Sequence, residues 1–278
     1  MRTGLLLGRD HPRVGAVAAL AEGRVALALS RGGARKRYQH KDPNEDACAF
    51  ALGERAWLIA VADGHWGAQG AALALQRLLE HHAPRWMSPA AMALGDRWVA
   101  EAPEVVLDLN RTLVAAGGEQ SVGRTTLALC LARPADGWWA GLCVGDSHVY
   151  RVGGDGAREH FGTDERGSRG TFLGDPRIDP ERAAEAVRSG VEPAAAGGAI
   201  VLATDGLSER GIGVERPEEV VAESVVVAGR GDAALRPLAA ARGVAGRALA
   251  AQRAQRAGDN VATACLWLPD GPAGDARS

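Results

Sequence analysis

The sequence predicts an α+β fold in which antiparallel sheets are covered by helices. Short apolar runs typical of strands come in groups, and they do not alternate one by one with helical segments. The stretches between these groups carry apolar residues at helical spacing. Hydrophobic residues make up 46% of the 278-residue chain and charged residues 24%, which is typical of a globular protein with a sizeable core.

Each element is predicted from its apolar spacing and from the residues that bound it. Residues 69–82 carry apolar side chains along one helical face. Ser88 before Pro89 is typical of a helix start, and the helical spacing from Pro103 to Gly117 predicts a further helix. The predicted strands cover 25–30, 46–51, 56–62, 125–132, 138–144, 147–152, 199–203 and 261–268, and the later helices cover 217–228 and 232–255.

Three stretches lack a clear period. Residues 161–198 are rich in Gly, Asp and Arg and predict a long surface loop. We expect residues 1–22 to form an N-terminal extension and residues 23–268 to form a single domain. Residues 269–278 are expected to be a disordered tail.

Composition excludes several classes of protein. A formal net charge of −2 argues against a nucleic-acid partner, which would need a basic surface. The N-terminus lacks the apolar core of a signal peptide, and no run approaches the roughly 18 apolar residues of a membrane span. We therefore expect a cytoplasmic protein without a membrane partner. The abundance of alanine and the preference for arginine over lysine indicate a GC-rich, bacterial genome.

Four cysteines, Cys48, Cys130, Cys143 and Cys265, lie in apolar, strand-like stretches. No two of them have the spacing of metal ligands. We interpret them as small core residues.

Acidic residues stand at the ends of several predicted strands. Asp63 and Asp205 each follow a fully apolar run and precede a glycine. One Asp-Gly pair is typical of a turn, but a carboxylate at the end of a buried strand is costly unless it is paired or bound to a metal. The other acidic residues at strand ends are Glu45, Asp46, Asp146 and Asp259.

A site built from carboxylates favours hard cations such as Mg²⁺ or Mn²⁺, and no Cys/His cluster indicates zinc. Two such cations held by a bridging carboxylate lower the pKa of a shared water and neutralise charge on a phosphoryl group. The chain has neither a Gly-rich phosphate-binding loop nor a Gly-x-Ser-x-Gly motif. The pattern therefore favours hydrolysis of a phosphate ester.

Six short motifs occur in order between about residues 25 and 268. They are Asn-Glu-Asp-Ala at 44–47, Val-Ala-Asp-Gly-His-Trp-Gly at 61–67, Gly-Arg-Thr-Thr at 123–126, Val-Gly-Asp-Ser at 144–147, Ala-Thr-Asp-Gly-Leu at 203–207 and Gly-Asp-Asn-Val-Ala-Thr at 258–263. In this order they resemble the protein phosphatase 2C family of metal-dependent serine/threonine phosphatases.

The resemblance implies a four-layer αββα sandwich, with two antiparallel sheets flanked by helices and a metal cleft at one end. It implies hydrolysis of phosphoserine and phosphothreonine on proteins by a metal-bridging hydroxide, with two or three Mn²⁺ or Mg²⁺ ions. The substrates would be phosphorylated proteins, targets of a serine/threonine kinase in signal transduction.

The resemblance also assigns roles to residues. Asp63 would bridge two metal ions, with the backbone carbonyl of Gly64 as a further ligand. Asp205 and Asp259 would complete the shell of one ion. His65 would act as general acid.

Around the second ion, the resemblance places Glu45 and Asp46, partly through water. Asp146 together with Asp205 would hold a third, weaker ion.

The chain departs from the family at the residue that binds the substrate phosphate. The family has an arginine five residues before the Asp of Asn-Glu-Asp, where this chain has Lys41. A lysine binds phosphate as a point charge and not as a bidentate fork. Its neighbours Arg35, Lys36 and Arg37 are alternatives for the phosphate contact. Further departures are Trp66, Arg124 and His148.

Two other functions stay open. A non-catalytic relative would keep the fold as a binding module for a phosphorylated partner, but it would be expected to lack metal-binding aspartates. A phosphatase of small phosphate esters would have the same site, and the sequence does not separate it from a protein phosphatase.

Overall fold

Two antiparallel sheets of six strands each lie face to face in the computed structural model, which describes residues 1–117, 123–161 and 171–270. The strands are β1 (Arg2–Leu7), β2 (Ala18–Glu22), β3 (Val25–Ser30), β4 (Ala47–Leu52), β5 (Trp57–Ala62), β6 (Gly64–His65), β7 (Arg124–Thr125), β8 (Leu127–Arg133), β9 (Trp138–Val144), β10 (His148–Gly153), β11 (Gly156–His160), β12 (Arg188–Pro193), β13 (Ala199–Ala203) and β14 (Val261–Trp267). The first sheet has the order β1-β4-β5-β8-β9-β12 and the second β11-β10-β13-β14-β3-β2, while β6 and β7 form a small separate ribbon.

Helices cover the outer face of each sheet, which gives four layers. The first sheet packs against α1, α2, α3 and α4, and the second against α5 and α6. The helices are α1 (Gln69–Arg77), which continues through a π-helical turn at Leu78–His82, α2 (Ala83–Met87), α3 (Leu94–Gly117), α4 (Pro180–Ala186), α5 (Pro217–Gly229) and α6 (Arg236–Gln255). The predicted α+β, four-layer sandwich is confirmed.

Most strands between the sheet edges are buried on both faces along nearly their whole length. In β5, Leu58 and Ala60 point towards the helices, while Ile59 and Val61 point towards the other sheet. This explains why the central strands are continuous apolar runs without polar alternation. In the second sheet, small residues of β3 such as Ala26 and Ala28 face the alanine-rich helix α6, which can therefore lie close.

The structure corrects the predicted helix start at Pro103. That residue lies inside α3, which already begins at Leu94. Proline removes one backbone donor from the helix, but buried residues on both sides of it pack onto the first sheet. The Trp98 indole N–H also donates to the carbonyl of Gly141 at 2.9 Å, which holds the turn before the proline. Tertiary packing therefore overrides the local signal.

Two other predicted boundaries change. Residues 1–22 supply an edge strand to each sheet, since β1 pairs with β4 and β2 pairs with β3. The stretch 161–198 contains α4, capped by Asp179, and the edge strand β12. Both were hard to predict because edge strands are only partly buried and carry weak apolar patterns. Residues 162–170 and 271–278, which include most of the predicted tail, lie outside the described residues.

All four cysteines are free and buried, as predicted. No helix in the described part of the chain is long and apolar enough to cross a membrane.

Candidate functional site

The antiparallel register brings the acidic residues to one end of the sandwich. β4 begins where β5 ends, so Asp46 and Asp63 lie side by side at this end of the strands of the first sheet. β9 ends at the same end of the sheet and leads into Asp146. In the second sheet β13 ends where β14 begins, which places Asp205 and Asp259 at this end as well.

The carboxylates form two overlapping clusters. Oxygen atoms of Asp63, Asp146 and Asp205 lie within 4.8 Å of one another, and so do those of Asp205, Glu209 and Asp259. Asp205 belongs to both. Sequence reasoning missed Glu209, although it follows Asp205 by four residues. Its N–H donates to the Asp205 carbonyl at 2.7 Å, so a tight turn returns its side chain towards the cluster.

A cavity of about 270 Å³ opens at this end of the molecule. Its walls include predicted site residues, namely Glu45, Asp63, Gly64, His65, Asp205 and Asp259. They also include Lys36, which the sequence offered as an alternative phosphate contact, and residues that were not predicted as ligands or catalytic groups, namely Tyr38, Gln39, Trp66 and Glu209. Asp46 lies behind the wall and is 1% exposed.

Burial and mutual repulsion dominate the electrostatics. Burial, followed by neighbouring carboxylates, raises the pKa of Asp63 and of Asp205 well above the ordinary value. Burial likewise raises the pKa of Asp46 to about 7, although Lys36 acts in the opposite direction. The pKa of Glu209 is raised to about 7 by burial and by Asp259. These groups gain from a bound cation, because it removes the repulsion between them.

Two buried carboxylate oxygens have no hydrogen-bond donor among the described residues. They are Asp46 Oδ1 and Asp146 Oδ1. The other oxygen of Asp46 accepts a hydrogen bond from Thr204 Oγ1 at 2.8 Å. Buried polar atoms are rarely left unpaired without reason. A donor set made of carboxylates, with free oxygens, fits a hard divalent cation.

The backbone of Asp63 is held by neutral donors and acceptors. Its N–H donates to Thr126 Oγ1 at 2.9 Å, and its carbonyl accepts from Thr125 Oγ1 at 2.8 Å. The next residue, Gly64, has no room for a side chain, because a Cβ would lie 2.3 Å from the carbonyl oxygen of Glu45. The Asp63 carboxylate is therefore free to face the cluster while its main chain is fixed.

His65 follows on the short strand β6, at the cavity wall. Its Nδ1 lies 3.8 Å from Asp63 Oδ1, and its ring packs on Phe172 with 4.5 Å between centroids. The side chain is 32% exposed. The ring is thus fixed beside the carboxylates and still accessible from the cavity.

Lys36 enters the carboxylate cluster. Its Nζ lies 3.3 Å from Asp259 Oδ1 and 3.5 Å from Glu45 Oε2, and its side chain is 3% exposed. Burial alone lowers the pKa of Lys36, but the surrounding carboxylates, led by Asp259, raise it more, so the net shift is upward. The Tyr38 hydroxyl donates to the same Asp259 oxygen, and the Lys36 ammonium lies 5.0 Å from the Tyr38 ring.

Lys41, the predicted phosphate ligand, lies at the exposed rim. Its backbone N–H donates to Glu45 Oε1 at 3.2 Å, but its side chain is not part of the cavity wall that the described residues form. The basic stretch 35–37 marked Lys36 as one of three alternatives for the phosphate contact, but its lack of an apolar period gave no direction to its side chains. Only the fold selects which of these cations turns inwards.

His148, another departure from the family, supports the turn after β13. Its Nδ1 lies 2.7 Å from Glu159 Oε1, and its Nε2 lies 2.6 Å from Ser208 Oγ. Ser208 stands between the cluster residues Asp205 and Glu209. The imidazole therefore links β10 and β11 to the turn that carries two of the carboxylates.

Comparison with known proteins agrees with this geometry. The profile of the family described as Protein phosphatase 2C matches residues 32–246. The fold is similar to the serine/threonine phosphatase PstP/Ppp of Mycobacterium tuberculosis, at 19% identity and a TM-score of 0.61, covering 91% of this chain and 100% of that chain. No curated protein matches the sequence.

Two further solved structures are similar. The catalytic domain of PstP in complex with 2 manganese ions matches at 21% identity and a TM-score of 0.57, covering 92% of this chain and 100% of that chain. PppA of Pseudomonas aeruginosa, a key regulatory component of the T6SS there, matches at 20% identity and a TM-score of 0.58, covering 90% of this chain and 100% of that chain. At these identities the similarity concerns the fold.

The raised pKa values predict how stability depends on pH when metal is removed. A carboxyl group whose pKa is higher in the folded state stabilises the fold below its unfolded value of about 4, and this contribution is lost as the pH rises through the folded value. For Asp46 and Glu209 the loss runs from about pH 4 to about pH 7. In chelator, Asp205→Asn should therefore raise the melting temperature relative to wild type, and by more at about pH 8 than at about pH 5.5.

Burial lowers the pKa of His82, so acidification destabilises the fold independently of the carboxylates. For this reason each variant is compared with wild type at the same pH. Asp155→Asn, an exposed change at the opposite end of β10, serves as control and should move the melting temperature equally at both pH values. An Asp205→Asn effect that is independent of pH would contradict the repulsion between the carboxylates. Differential scanning fluorimetry measures each value.

Proposed function

The chain belongs to the protein phosphatase 2C family, and we propose that it hydrolyses phosphoserine and phosphothreonine on proteins with the help of Mn²⁺ or Mg²⁺. One observation carries the proposal. Buried carboxylates that repel one another converge on a cavity open to a substrate. No arrangement of this kind stabilises a fold by itself, so its use lies in binding cations.

The residues that would hold the ions are those at the strand ends, namely Glu45, Asp46, Asp63, Asp146, Asp205 and Asp259, with the Gly64 carbonyl and with Glu209 as an added candidate. When bound, divalent cations lower the pKa of water and offset the charge that develops on the phosphoryl group. The protein contributes the fixed positions of its carboxylates, which it holds by backbone hydrogen bonds to Thr125, Thr126 and Asn260.

His65 would protonate the leaving oxygen of the serine or threonine. Its ring lies beside the cluster, is fixed by Phe172 and is accessible from the cavity. A proton from a positioned side chain is typically worth about 10²–10⁴-fold in rate. An alkoxide needs this proton because it is a poor leaving group.

The phosphate contact is proposed for Lys36. It is the lysine whose ammonium lies in the cavity wall, next to the carboxylates that would hold the ions. Lys41, which occupies the family's position in the sequence, is the alternative. If Glu45 and Asp259 held cations, the Lys36 ammonium would no longer be needed as their partner and could bind the substrate phosphate.

Two other functions compete with this one. A binding module for phosphorylated partners is disfavoured because the full set of carboxylates is kept. A phosphatase of small esters would use the same residues, and it is separated from a protein phosphatase by turnover of phosphopeptides.

Metal removal tests the proposal as a whole. Hydrolysis of a phosphothreonine peptide should require Mn²⁺ or Mg²⁺ and stop in chelator. Asp63→Asn should lose nearly all activity and bind Mn²⁺ more weakly by calorimetry while it stays folded, whereas the exposed control Asp155→Asn should keep both properties. Full activity after exhaustive dialysis against EDTA would rule out the metal mechanism, and phosphopeptide binding without turnover would favour the binding module.

Leaving-group dependence tests His65. His65→Ala should lower turnover of a phosphothreonine peptide by about 10²–10⁴-fold. Turnover of an aryl phosphate should fall much less, because an aryl oxide leaves without a proton. Steady-state kinetics on both substrates give the two ratios. Equal losses would show that His65 has a structural role only.

A matched pair of variants tests the phosphate contact. Lys36→Ala should raise KM and lower kcat for a phosphopeptide, with a combined cost on the order of 1.5–3 kcal/mol, the value of a charge-assisted hydrogen bond to phosphate. Lys41→Ala should change kcat/KM by less than about threefold, since an exposed charge interacts weakly. The reverse result would assign the phosphate to Lys41, the residue at the family's position.

A further inference from the structure

Trp66 has a backbone conformation that is unfavourable for its residue type. Its φ is +63°, in the left-handed region that favours glycine, and only two other non-glycine residues of the described ranges have a positive φ. The left-handed conformation costs free energy for any residue with a Cβ, and such strain is concentrated at functional sites. Burial does not compensate for it, because Trp66 is 60% exposed. The fold itself would be served better by glycine.

The indole stands at the rim of the cavity. Trp66 is part of the cavity wall, directly after the proposed general acid His65, and the two rings meet edge to face with 6.3 Å between centroids. A substrate whose phosphate lies at the carboxylates therefore passes this ring. Tryptophan offers a large, rigid surface with few rotatable bonds, so little entropy is lost on contact.

Arg124 supports the ring from one side. Its guanidinium carbon lies 5.5 Å from the Trp66 ring centroid, within the range of a cation–π interaction. Arg124 is held in turn by its place on β7 opposite His65 and by Asp175, whose Oδ2 lies 3.6 Å from Nη2. Both Trp66 and Arg124 depart from the residues that the family has at these positions, and the fold brings the two departures into contact.

The Arg124 guanidinium on one side of the indole restricts which substrate side chains can bind the exposed side of the ring. A cationic side chain would meet the positive charge of Arg124 across the same ring, and a small side chain would cover little of it. An apolar or aromatic side chain buries the indole without either penalty. Consecutive residues of an extended peptide are about 3.3–3.6 Å apart along the chain. The Trp66 ring centroid lies 6.3 Å from that of His65, a distance that a bulky side chain next to the phosphorylated residue can span.

We propose that Trp66 is a specificity-determining residue, which binds a bulky apolar or aromatic side chain next to the phosphorylated residue of a protein substrate. The inference rests on the proposed phosphatase function and adds a substrate class to it. Arg124 is a positioning residue for the indole.

Three phosphothreonine peptides, identical except for Phe, Ala or Lys beside the phosphothreonine, test the proposal. With wild-type protein and Mn²⁺, kcat/KM should be about tenfold higher for the Phe peptide than for the Ala peptide, the scale of one added apolar contact. The Lys peptide should be no better than the Ala peptide. In Trp66→Gly the ratio of Phe to Ala should fall to about one, and Trp66→Phe should keep most of it.

Further variants separate lost contact from lost structure. Both Trp66→Ala and Trp66→Gly should abolish the preference for the Phe peptide. Trp66→Gly should melt at a higher temperature than Trp66→Ala, because glycine accepts the positive φ. Val227→Ala, at an exposed apolar residue of α5, should keep the wild-type ratio.

Equal kcat/KM for the Phe and Ala peptides in wild type would overturn the role of Trp66 and leave the phosphatase function standing. If no phosphopeptide is hydrolysed, the proposed function fails. Fluorescence polarisation of the same labelled peptides then decides the Trp66 question, since a preference for the Phe peptide that disappears in Trp66→Gly supports it and equal binding overturns it.

Discussion

Asp63 and Asp205 bring like charges into the same buried end of the sandwich, where desolvation and mutual repulsion raise both pKa values. Main-chain hydrogen bonds to neutral groups hold the site in place without neutralising its charge. Thr126 Oγ1 accepts a hydrogen bond from the N–H of Asp63, and Asn260 Oδ1 accepts one from the N–H of Glu45. Because these neutral contacts engage the main chain, the carboxylate oxygens stay available. The free energy needed to keep the cluster together comes from the packed sheets and, when present, from bound cations.

The glycines after the two central aspartates show how close the packing is. A Cβ on Gly64 would lie 2.3 Å from the carbonyl oxygen of Glu45, and one on Gly206 would lie 1.8 Å from that of Asn260. Neither glycine has a positive φ. The Asp-Gly pairs are therefore set by the approach of neighbouring backbones and not by the needs of a hairpin turn. This approach brings the end of one strand within reach of the start of another, and it makes the cluster compact.

The basic loop before β4 changes the charge balance of the site. Lys36 is almost fully buried against Glu45 and Asp259, while Tyr38 donates to Asp259 from the same loop. A lysine in this position offsets part of the negative charge that would otherwise be uncompensated in the absence of metal. Lys41 lies closer in sequence to the acidic motif but remains at the rim. Proximity along the chain and proximity to the site therefore select different lysines.

The local pattern of apolar residues in the sequence determined those strands that are buried along nearly their whole length. The apolar runs predict β5, β9 and β13 because both faces of each strand are covered, and Asp63 and Asp205 stand out because they follow such runs. Where the pattern is weak, the prediction failed, as for the edge strands β1 and β12, or yielded to packing, as where α3 continues through Pro103. Glu209 and Lys36 join the site through a turn and a loop, and these have no period to reveal their direction. Their side chains are placed by contacts between residues distant in sequence, which only the tertiary structure specifies.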